Sequence, residues 1–293
     1  MADLIAAAGH GTIAAGDTPA GSPQAGSPPA GVTQAGSPQV GSIEVRALSH
    51  VYAGRDGDSP ALADIDMTVA PGRFVVLVGP SGCGKTSLLM MLAGLRAHSA
   101  GTILCEGRPV TGPDPNRIGV VFQEPNLFPW LTAADNVAFP LALRHVKPAE
   151  RRRRALEMLR LVRLEDFAGR YPHELSGGMR QRVSIARGLV QDPPVLLMDE
   201  PFAALDEQTR MAMGDELLRI WSETRKTVVF VTHSLTEAVY LADEVLVMSA
   251  RPGRIIDRIA VDLPRPRTYA TLSAPGFTHL RDRIWHHIRA ERA

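Results

Sequence analysis

The stretch FVVLVGPSGCGKTSLLMMLAG, at residues 74–94, decides the fold of this chain. Its opening run FVVLVG is continuously apolar, which is typical of a β-strand buried on both faces. The following GPSGCGKT fits the pattern G-x-x-x-x-G-K-[ST], and an apolar helical run comes directly after it. A glycine-rich loop between a buried strand and a helix presents backbone N–H groups to phosphate. The stretch therefore predicts an α/β core that binds a nucleotide.

The residues of this loop have separate predicted roles. Its glycines let backbone N–H groups wrap a β-phosphate, Lys85 reaches the β- and γ-phosphates, and Thr86 holds Mg²⁺. A chance match in an ordinary glycine-rich turn is the alternative, and the strand–loop–helix setting argues against it. The predicted nucleotide-binding set of the loop is Gly79, Pro80, Ser81, Gly82, Cys83, Gly84, Lys85, Thr86 and Ser87.

Further apolar runs extend the core into a sheet. VLLMD (195–199), TVVFVT (227–232) and EVLVMS (244–249) repeat the buried-strand pattern, with helical patterns between them. This alternation predicts a mostly parallel sheet with crossover helices. IEVRALSHVY and ALADIDMTVA, joined by the turn AGRDGDSP, predict a separate pair of antiparallel strands near residues 43–70.

Changes in composition predict the domain boundaries. Residues 1–41 repeat an Ala-Gly-Ser-Pro unit with little apolar surface, which predicts a disordered tail. Residues 42–263 form the predicted α/β domain, and a helical subdomain is inserted at about 126–175. Residues 264–293 are a predicted helical extension, whose stripe of Leu280, Ile284 and Ile288 indicates packing on the core; a regulatory role is the less favoured alternative.

The bulk composition excludes several classes of protein. The chain has 293 residues, a formal net charge of +1 and two cysteines. Near-neutral charge argues against a dedicated nucleic-acid-binding protein. The cysteines have neither a CxxC nor a zinc-ligand spacing, which fits a reducing compartment. Without a spanning apolar run or a signal-peptide pattern, we expect a soluble or peripheral protein.

Polar residues follow the predicted core strands. Asp199 and Glu200 end one strand, where acidic side chains need a cation or a polar site to face. Asp199 suits Mg²⁺ binding, Glu200 suits polarisation of the water that attacks a γ-phosphate, and His233 after the next strand suits γ-phosphate contact. A structural role for His233 is the alternative. Cys83 lies beside a helix N-terminus, which predicts a lowered pKa for its thiol. We therefore expect alkylation of Cys83 to block nucleotide binding.

Other motifs, taken in order, resemble those of one family. Residues 175–181 read LSGGMRQ, and the predicted helix N-terminus there has backbone N–H groups that can bind an anion. This segment looks like the signature motif of ABC transporter ATPases. Tyr52 matches the aromatic residue that stacks on adenine, Gln123 matches the Q-loop glutamine, Asp206 the D-loop acid and His233 the switch histidine. Residues 43–260 therefore resemble the ATP-binding subunit of an ABC transporter, an ABC nucleotide-binding domain with a P-loop NTPase core.

This resemblance implies how the site works. Two subunits form a homodimer that sandwiches two ATP molecules head to tail, so Ser176, Gly177 and Gly178 of one face the phosphate loop of the other. Glu200, His233 and Gln123 are then the catalytic set. Tyr52 and Asp206 join the loop and signature residues in binding ATP. Thr86, Gln123 and Asp199 bind Mg²⁺.

The resemblance also implies partners. Several segments look like those of the ATP-binding subunits of importers of nitrate, taurine or aliphatic sulfonates, among them NLFPWLTAADNVAFPL and MSARPGRI. Such an ATPase acts at the cytoplasmic face of the inner (plasma) membrane, with integral membrane permease subunits and indirectly a periplasmic solute-binding protein, and it binds no nucleic acid. Phe128 and Trp130 are expected to face the permease; packing within the helical subdomain is an equal alternative.

Two other functions remain as alternatives. A soluble ABC ATPase acting on nucleic acid usually carries two cassettes or a long coiled coil, whereas this chain has one signature motif and a compact insert. A degenerate ATP-binding regulator would lack the catalytic acid or the histidine, and Glu200 and His233 are both present. The transported solute is chosen by proteins outside this chain.

Overall fold

The computed structural model describes residues 40–54 and 57–291, so all of the predicted disordered tail at 1–41 except its last two residues lies outside the described residues. The strands are β1 Ile43–Tyr52, β2 Ser59–Val69, β3 Phe74–Val78, β4 Ala100–Cys105, β5 Arg108–Pro109, β6 Ile118–Val121, β7 Val195–Asp199, β8 Thr227–Val231, β9 Glu244–Met248 and β10 Ile255–Ala260. The α-helices are α1 Lys85–Leu92, α2 Ala133–Leu143, α3 Pro148–Leu161, α4 Gly177–Leu189, α5 Glu207–Thr224, α6 Leu235–Leu241 and α7 Pro275–Ala290.

The central sheet has six strands in the order β10-β9-β3-β8-β7-β6. Strands β9, β3, β8, β7 and β6 are parallel, and β10 pairs antiparallel to β9 at one edge. Every residue of β3, β7 and β8 is buried. Strands covered on both faces need continuous apolar runs, which explains the pattern in the sequence.

The two faces of β3 pack into different hydrophobic clusters because successive side chains of a strand point to opposite faces. Val75 and Leu77 join a cluster with α1 and the antiparallel strands. Phe74, Val76 and Val78 join a larger cluster with the helices on the other face. The antiparallel sheet, ordered β2-β1-β4-β5, therefore lies over α1 and over one face of the parallel sheet.

Helices α2, α3 and α4 pack on one another and form the part of the chain that connects β6 to β7. Asn136 of α2 is fully buried and ties this unit to the segment that precedes it. Its side-chain carbonyl accepts from the Phe128 N–H at 2.7 Å, and its amide donates to the Phe128 and Leu131 carbonyls. The segment after β6 is thus fixed by a buried polar group whose bonds are made.

Helix α7 packs its apolar stripe against α6 and β9. Phe277, Ile284 and Ile288 are buried, and Leu280 is partly buried against the same cluster. The predicted stripe therefore covers the core, which is the arrangement that the spacing of four favoured. Among the described residues no helix is both long and apolar enough to cross a bilayer.

One strand–helix contact has no room for a side chain. A Cβ at Gly119 of β6 would lie 2.6 Å from the Gly188 carbonyl oxygen of α4. We expect Gly119→Ala to lower the free energy of unfolding by about 1–3 kcal/mol, as overpacking of a tight core does. Urea denaturation measures this change. Gly112→Ala is the matched control, because a Cβ there meets no atom within 4 Å; equal stability of the two variants would contradict the prediction.

Candidate functional site

The carboxyl ends of the parallel strands meet at one edge of the sheet, where ligands of such sheets bind. The phosphate loop follows β3, Glu200 follows β7, and His233 comes two residues after β8. Gln123 comes two residues after β6 and is exposed. The topology therefore brings several of the predicted residues to the same edge.

The loop needs glycine at two closely packed positions. Gly84 has a φ of +103°, and a Cβ there would lie 2.7 Å from a methyl carbon of Leu62. Gly79 approaches the backbone of β9, where a Cβ would lie 2.9 Å from the Met248 carbonyl oxygen. The left-handed conformation and the close backbone approach both favour glycine. The spacing of glycines in the motif thus has a packing reason as well as a phosphate-binding one.

Lys85 opens α1 with only 6% of its surface exposed. Its ammonium donates to the carbonyl oxygens of Gly79 at 2.9 Å and Pro80 at 3.0 Å. A buried charge needs such partners. The bonds place a cation inside the curve of the loop, where it suits the β- and γ-phosphates of a nucleotide.

Thr86 and Asp199 form an adjacent pair of oxygen donors. The Thr86 hydroxyl donates to Asp199 Oδ1 at 3.2 Å, and Asp199 is 7% exposed. Burial raises the pKa of the Asp199 carboxyl, the charge of Glu200 raises it further, and the Thr86 hydrogen bond opposes both. A divalent cation would favour the ionised carboxylate, and hard oxygen ligands suit Mg²⁺. The pair fits a Mg²⁺ site.

Glu200 and His233 contact each other at the mouth of the site. His233 Nδ1 lies 2.9 Å from Glu200 Oε2, and the imidazole is exposed. Glu200 has a φ of +43°. Its N–H donates to the Val231 carbonyl at 2.9 Å. A left-handed non-glycine residue is uncommon and is a form of strain found at functional sites. The carboxylate is held where it can accept a proton from water.

A cavity of about 410 Å³ is lined by Lys85, Thr86 and Glu200 of these groups, whereas Asp199 and His233 are not among its lining residues. The Tyr52 hydroxyl lies 2.7 Å from Ser87 Oγ, and the Arg96 guanidinium lies over the Tyr52 ring. Arg251, which sequence reasoning did not assign to the site, also lines the cavity. The lining residues are Tyr52, Ser81, Gly82, Gly84, Lys85, Thr86, Ser87, Glu200 and Arg251.

The signature residues belong to a different surface. Ser176 caps α4 by accepting from the Met179 N–H at 3.3 Å, and Asp206 caps α5 by accepting from the Thr209 N–H at 3.0 Å. The hydrogen bonds from Thr209 hold the pKa of Asp206 below its usual range. The two helix starts are adjacent, since a Cβ at Gly178 would lie 3.1 Å from the Thr209 methyl carbon. Among the described residues that line the cavity, none is Ser176, Gly177, Gly178, Asp206 or Gln123.

The predicted low pKa of the Cys83 thiol is wrong. Cys83 is 1% exposed and belongs to the apolar cluster beneath the loop. Burial raises the pKa of its thiol, and the nearby Lys85 charge opposes this without reversing it. Desolvation of the thiolate outweighs the helix N-terminus. Cys83 can therefore serve a nucleotide only through its backbone.

We expect both thiols to react slowly in the native protein. Cys105 is also buried, and burial raises the pKa of its thiol to about 11. Because the thiolate is the nucleophile, N-ethylmaleimide at neutral pH should label the native chain at least about tenfold more slowly than the urea-unfolded chain. Mass spectrometry measures the rates, and Cys105→Ala isolates Cys83. Rapid native labelling of Cys83 would restore the reactive-thiol interpretation.

Known proteins share this sequence over most of its length. A family model described as ABC transporter matches residues 62–203. The chain is 51% identical over 234 residues to a putative ATP-binding protein of Brucella abortus, covering 80% of this chain and 90% of that protein. It is 47% identical over 248 residues to the taurine import ATP-binding protein TauB of Rhizobium johnstonii, and the match covers 83% of this chain and 94% of that protein.

The fold is shared with a solved ATP-binding cassette. The dimeric structure of a cassette in a post-hydrolysis state, bound to ADP and Pi, superposes with a TM-score of 0.67 at 32% sequence identity. The match covers 76% of this chain and 100% of that one. It confirms the predicted fold class, and the relatives confirm the resemblance to the taurine and sulfonate importer subgroup. The chain belongs to the ABC transporter family of ATP-binding proteins, ATPases whose reaction is coupled to transport.

Proposed function

We propose that this chain powers import of a small anion by closing on ATP as a head-to-tail homodimer and driving a separate membrane permease. The observation that carries the proposal is the division of its anion-binding groups between two surfaces. The cavity at the sheet edge holds the phosphate loop. The helix start at Ser176 presents N–H groups and a positive dipole outside that cavity. A second copy would bring its own helix start to the open side of the first cavity.

We propose the following roles within one subunit, which the arrangement of the phosphate loop, Thr86 and Asp199 supports. Lys85 binds the β- and γ-phosphates. Thr86 and Asp199 would hold Mg²⁺, and this cation would supply charge neutralisation at the phosphate oxygens. Gln123 completes the Mg²⁺ and γ-phosphate contacts from the exposed end of β6. Tyr52 stacks on the adenine.

Hydrolysis uses the pair at the mouth of the site. A water molecule attacks the γ-phosphorus as the bond to the β,γ-bridging oxygen breaks, so the products are ADP and phosphate. Glu200 orients this water and accepts its proton. His233, in contact with Glu200, holds that carboxylate and contacts the γ-phosphate.

The second subunit supplies the far wall of the site. Ser176, Gly177 and Gly178 of that subunit grip the γ-phosphate through backbone N–H groups at the start of α4. Asp206 caps the neighbouring helix α5, whose Thr209 lies next to Gly178 of α4. Because the γ-phosphate is gripped from both sides only in the dimer, hydrolysis releases the rigid subunits from each other.

A permease-docking surface lies beside Gln123. Trp130 is 71% exposed, whereas Phe128 is half-buried with its ring centroid 4.4 Å from that of Phe139 on α2. An apolar groove of about 340 Å³ includes Phe122, Phe128 and Phe139 in its lining. Exposed aromatic residues next to an apolar groove suit a partner segment. Phe128 therefore packs within the helical unit, and Trp130 is the residue free to face a permease.

The names of the relatives support a proposal for the setting of the protein. Three of them are named taurine import ATP-binding proteins. We propose a related small anion as solute, a periplasmic solute-binding protein as indirect partner, and a peripheral position on the cytoplasmic face of the inner (plasma) membrane.

Removal of the catalytic carboxylate should separate binding from hydrolysis. We expect Glu200→Gln to lower ATP hydrolysis at least about 100-fold, because the amide cannot accept the proton from water. Without turnover, ATP should hold the variant as a dimer in size-exclusion chromatography with light scattering. Glu157→Gln on the exposed face of α3 is the matched control. Hydrolysis by Glu200→Gln at the wild-type rate would remove Glu200 from the catalytic role.

The far wall can be tested in the same background. We expect Ser176→Arg combined with Glu200→Gln to bind ATP but to remain monomeric, because a bulky side chain at the start of α4 blocks the approach of a second phosphate loop. Calorimetry measures binding, and light scattering measures mass. Ser222→Arg on the exposed face of α5 is the control. An ATP-dependent dimer that tolerates Ser176→Arg would contradict the head-to-tail arrangement.

A further inference from the structure

Arg251 brings a second cation to the phosphate cavity. It is exposed in the loop that follows β9, and it lines the cavity together with Ser81, Gly82 and Glu200. Strand β9 pairs directly with β3, so this loop and the phosphate loop leave neighbouring strands at the same edge. Arg251 therefore lines the same cavity as Lys85 but from a different loop.

Hydrogen bonds within the loop fix its path. The Ser249 N–H donates to the Arg254 carbonyl at 2.9 Å, and the Arg254 N–H donates to Ser249 Oγ at 2.9 Å. The Gly253 N–H donates to the Ala61 carbonyl at 2.9 Å. The Arg251 backbone is thus held between two bonded anchors.

Gly253 also packs directly on the phosphate loop. A Cβ at this position would overlap the Cys83 carbonyl oxygen. The backbone carrying Arg251 is therefore packed closely against the loop that binds phosphate, with no space between them for a side chain.

We propose that Arg251 binds the phosphates of the nucleotide, an inference that rests on the proposed ATP site. The groups already in the cavity include one cation, Lys85, and one acid, Glu200, with Asp199 close by. A triphosphate carries several negative charges, so a second cation at the rim completes its neutralisation. A guanidinium always carries its charge and offers a planar fork of donors that suits phosphate oxygens.

The end of α7 positions this arginine. Glu291 Oε2 accepts from the Ala250 N–H at 2.8 Å, directly beside Arg251. Glu291 directly follows helix α7, which is anchored to the core through buried Ile284 and Ile288. Glu291 is a positioning residue, since it acts on the nucleotide through the Arg251 loop. The C-terminal helix is thereby linked to the ATP site.

The affinity for ATP tests the role of Arg251. Titration calorimetry with ATP should show that Arg251→Ala binds about tenfold more weakly than wild type, the scale of one hydrogen-bonded charge contact. Arg251→Lys, which keeps the charge, should lose less. Arg254→Ala, an exposed arginine of the same loop outside the cavity lining, should keep wild-type affinity.

The outcomes separate this inference from the proposed function. Wild-type protein that fails to bind ATP, or Lys85→Ala that binds normally, would overturn the proposed ATP site itself. Normal binding by Arg251→Ala, in a wild-type protein that binds ATP, would overturn the role of Arg251 alone. Equal losses of ATP affinity in Arg251→Ala and Arg254→Ala would also overturn it, because the effect would then come from the net charge of the protein and not from a contact of Arg251.

A mutant cycle tests the link to α7. Glu291→Ala should weaken ATP binding by less than Arg251→Ala, and Glu291→Gln should restore it because the amide oxygen still accepts from Ala250. The double variant Arg251→Ala, Glu291→Ala should bind no more weakly than Arg251→Ala. Additive losses, or failure of Glu291→Gln to restore binding at an unchanged melting temperature, would overturn the positioning role.

Discussion

The register of three parallel strands is the constraint on which the rest of the site depends. Leu77 of β3 pairs with Val231 of β8, and Val231 pairs with Asp199 of β7, so these residues form one line across the sheet. Glu200 and His233 stand one and two residues beyond that line. A slip of one residue would turn each side chain to the opposite face of the sheet. Continuous apolar burial on both faces holds the register, so the large core outside the site determines where its polar atoms lie.

That placement is unfavourable for the polar groups themselves. Asp199 lies at the end of a fully buried strand, where burial raises the pKa of its carboxyl, and Glu200 has a left-handed backbone beside it. Both features oppose folding, and the surrounding sheet outweighs them. A bound cation would reverse the first effect because it favours the ionised carboxylate. The chain is therefore arranged so that ligand binding relieves unfavourable interactions present in the folded protein.

The sequence predicted the central elements well because their signals are local. Continuous apolar runs and the glycine spacing identify β3, β7, β8 and the loop before α1. It did not predict β4, β5, β6 or β10. β6 has only four residues, and β10 alternates half-exposed and exposed positions until the buried Ile259, so neither has a distinctive run. Arg251 was also missed, because its position depends on a contact between Gly253 and Cys83, which are far apart in the sequence.

The pKa of the Cys83 thiol was predicted in the wrong direction. Burial, unlike a helix start, cannot be read from neighbouring residues.

The two surfaces of the chain are mechanically linked through α4. Arg187, near the end of this helix, donates to the Asn126 carbonyl at 2.8 Å and to the Pro125 carbonyl at 2.5 Å. Those carbonyls follow Gln123 and precede Trp130, so one end of α4 holds the segment proposed to meet the permease. The other end begins after Ser176, which is proposed to meet the partner's nucleotide. A helix moves as a rigid rod on this length scale, because its backbone bonds are internal. If both proposed contacts form, a displacement at the proposed permease surface would move the signature helix start, and closure on ATP would move the proposed permease surface through the same helix.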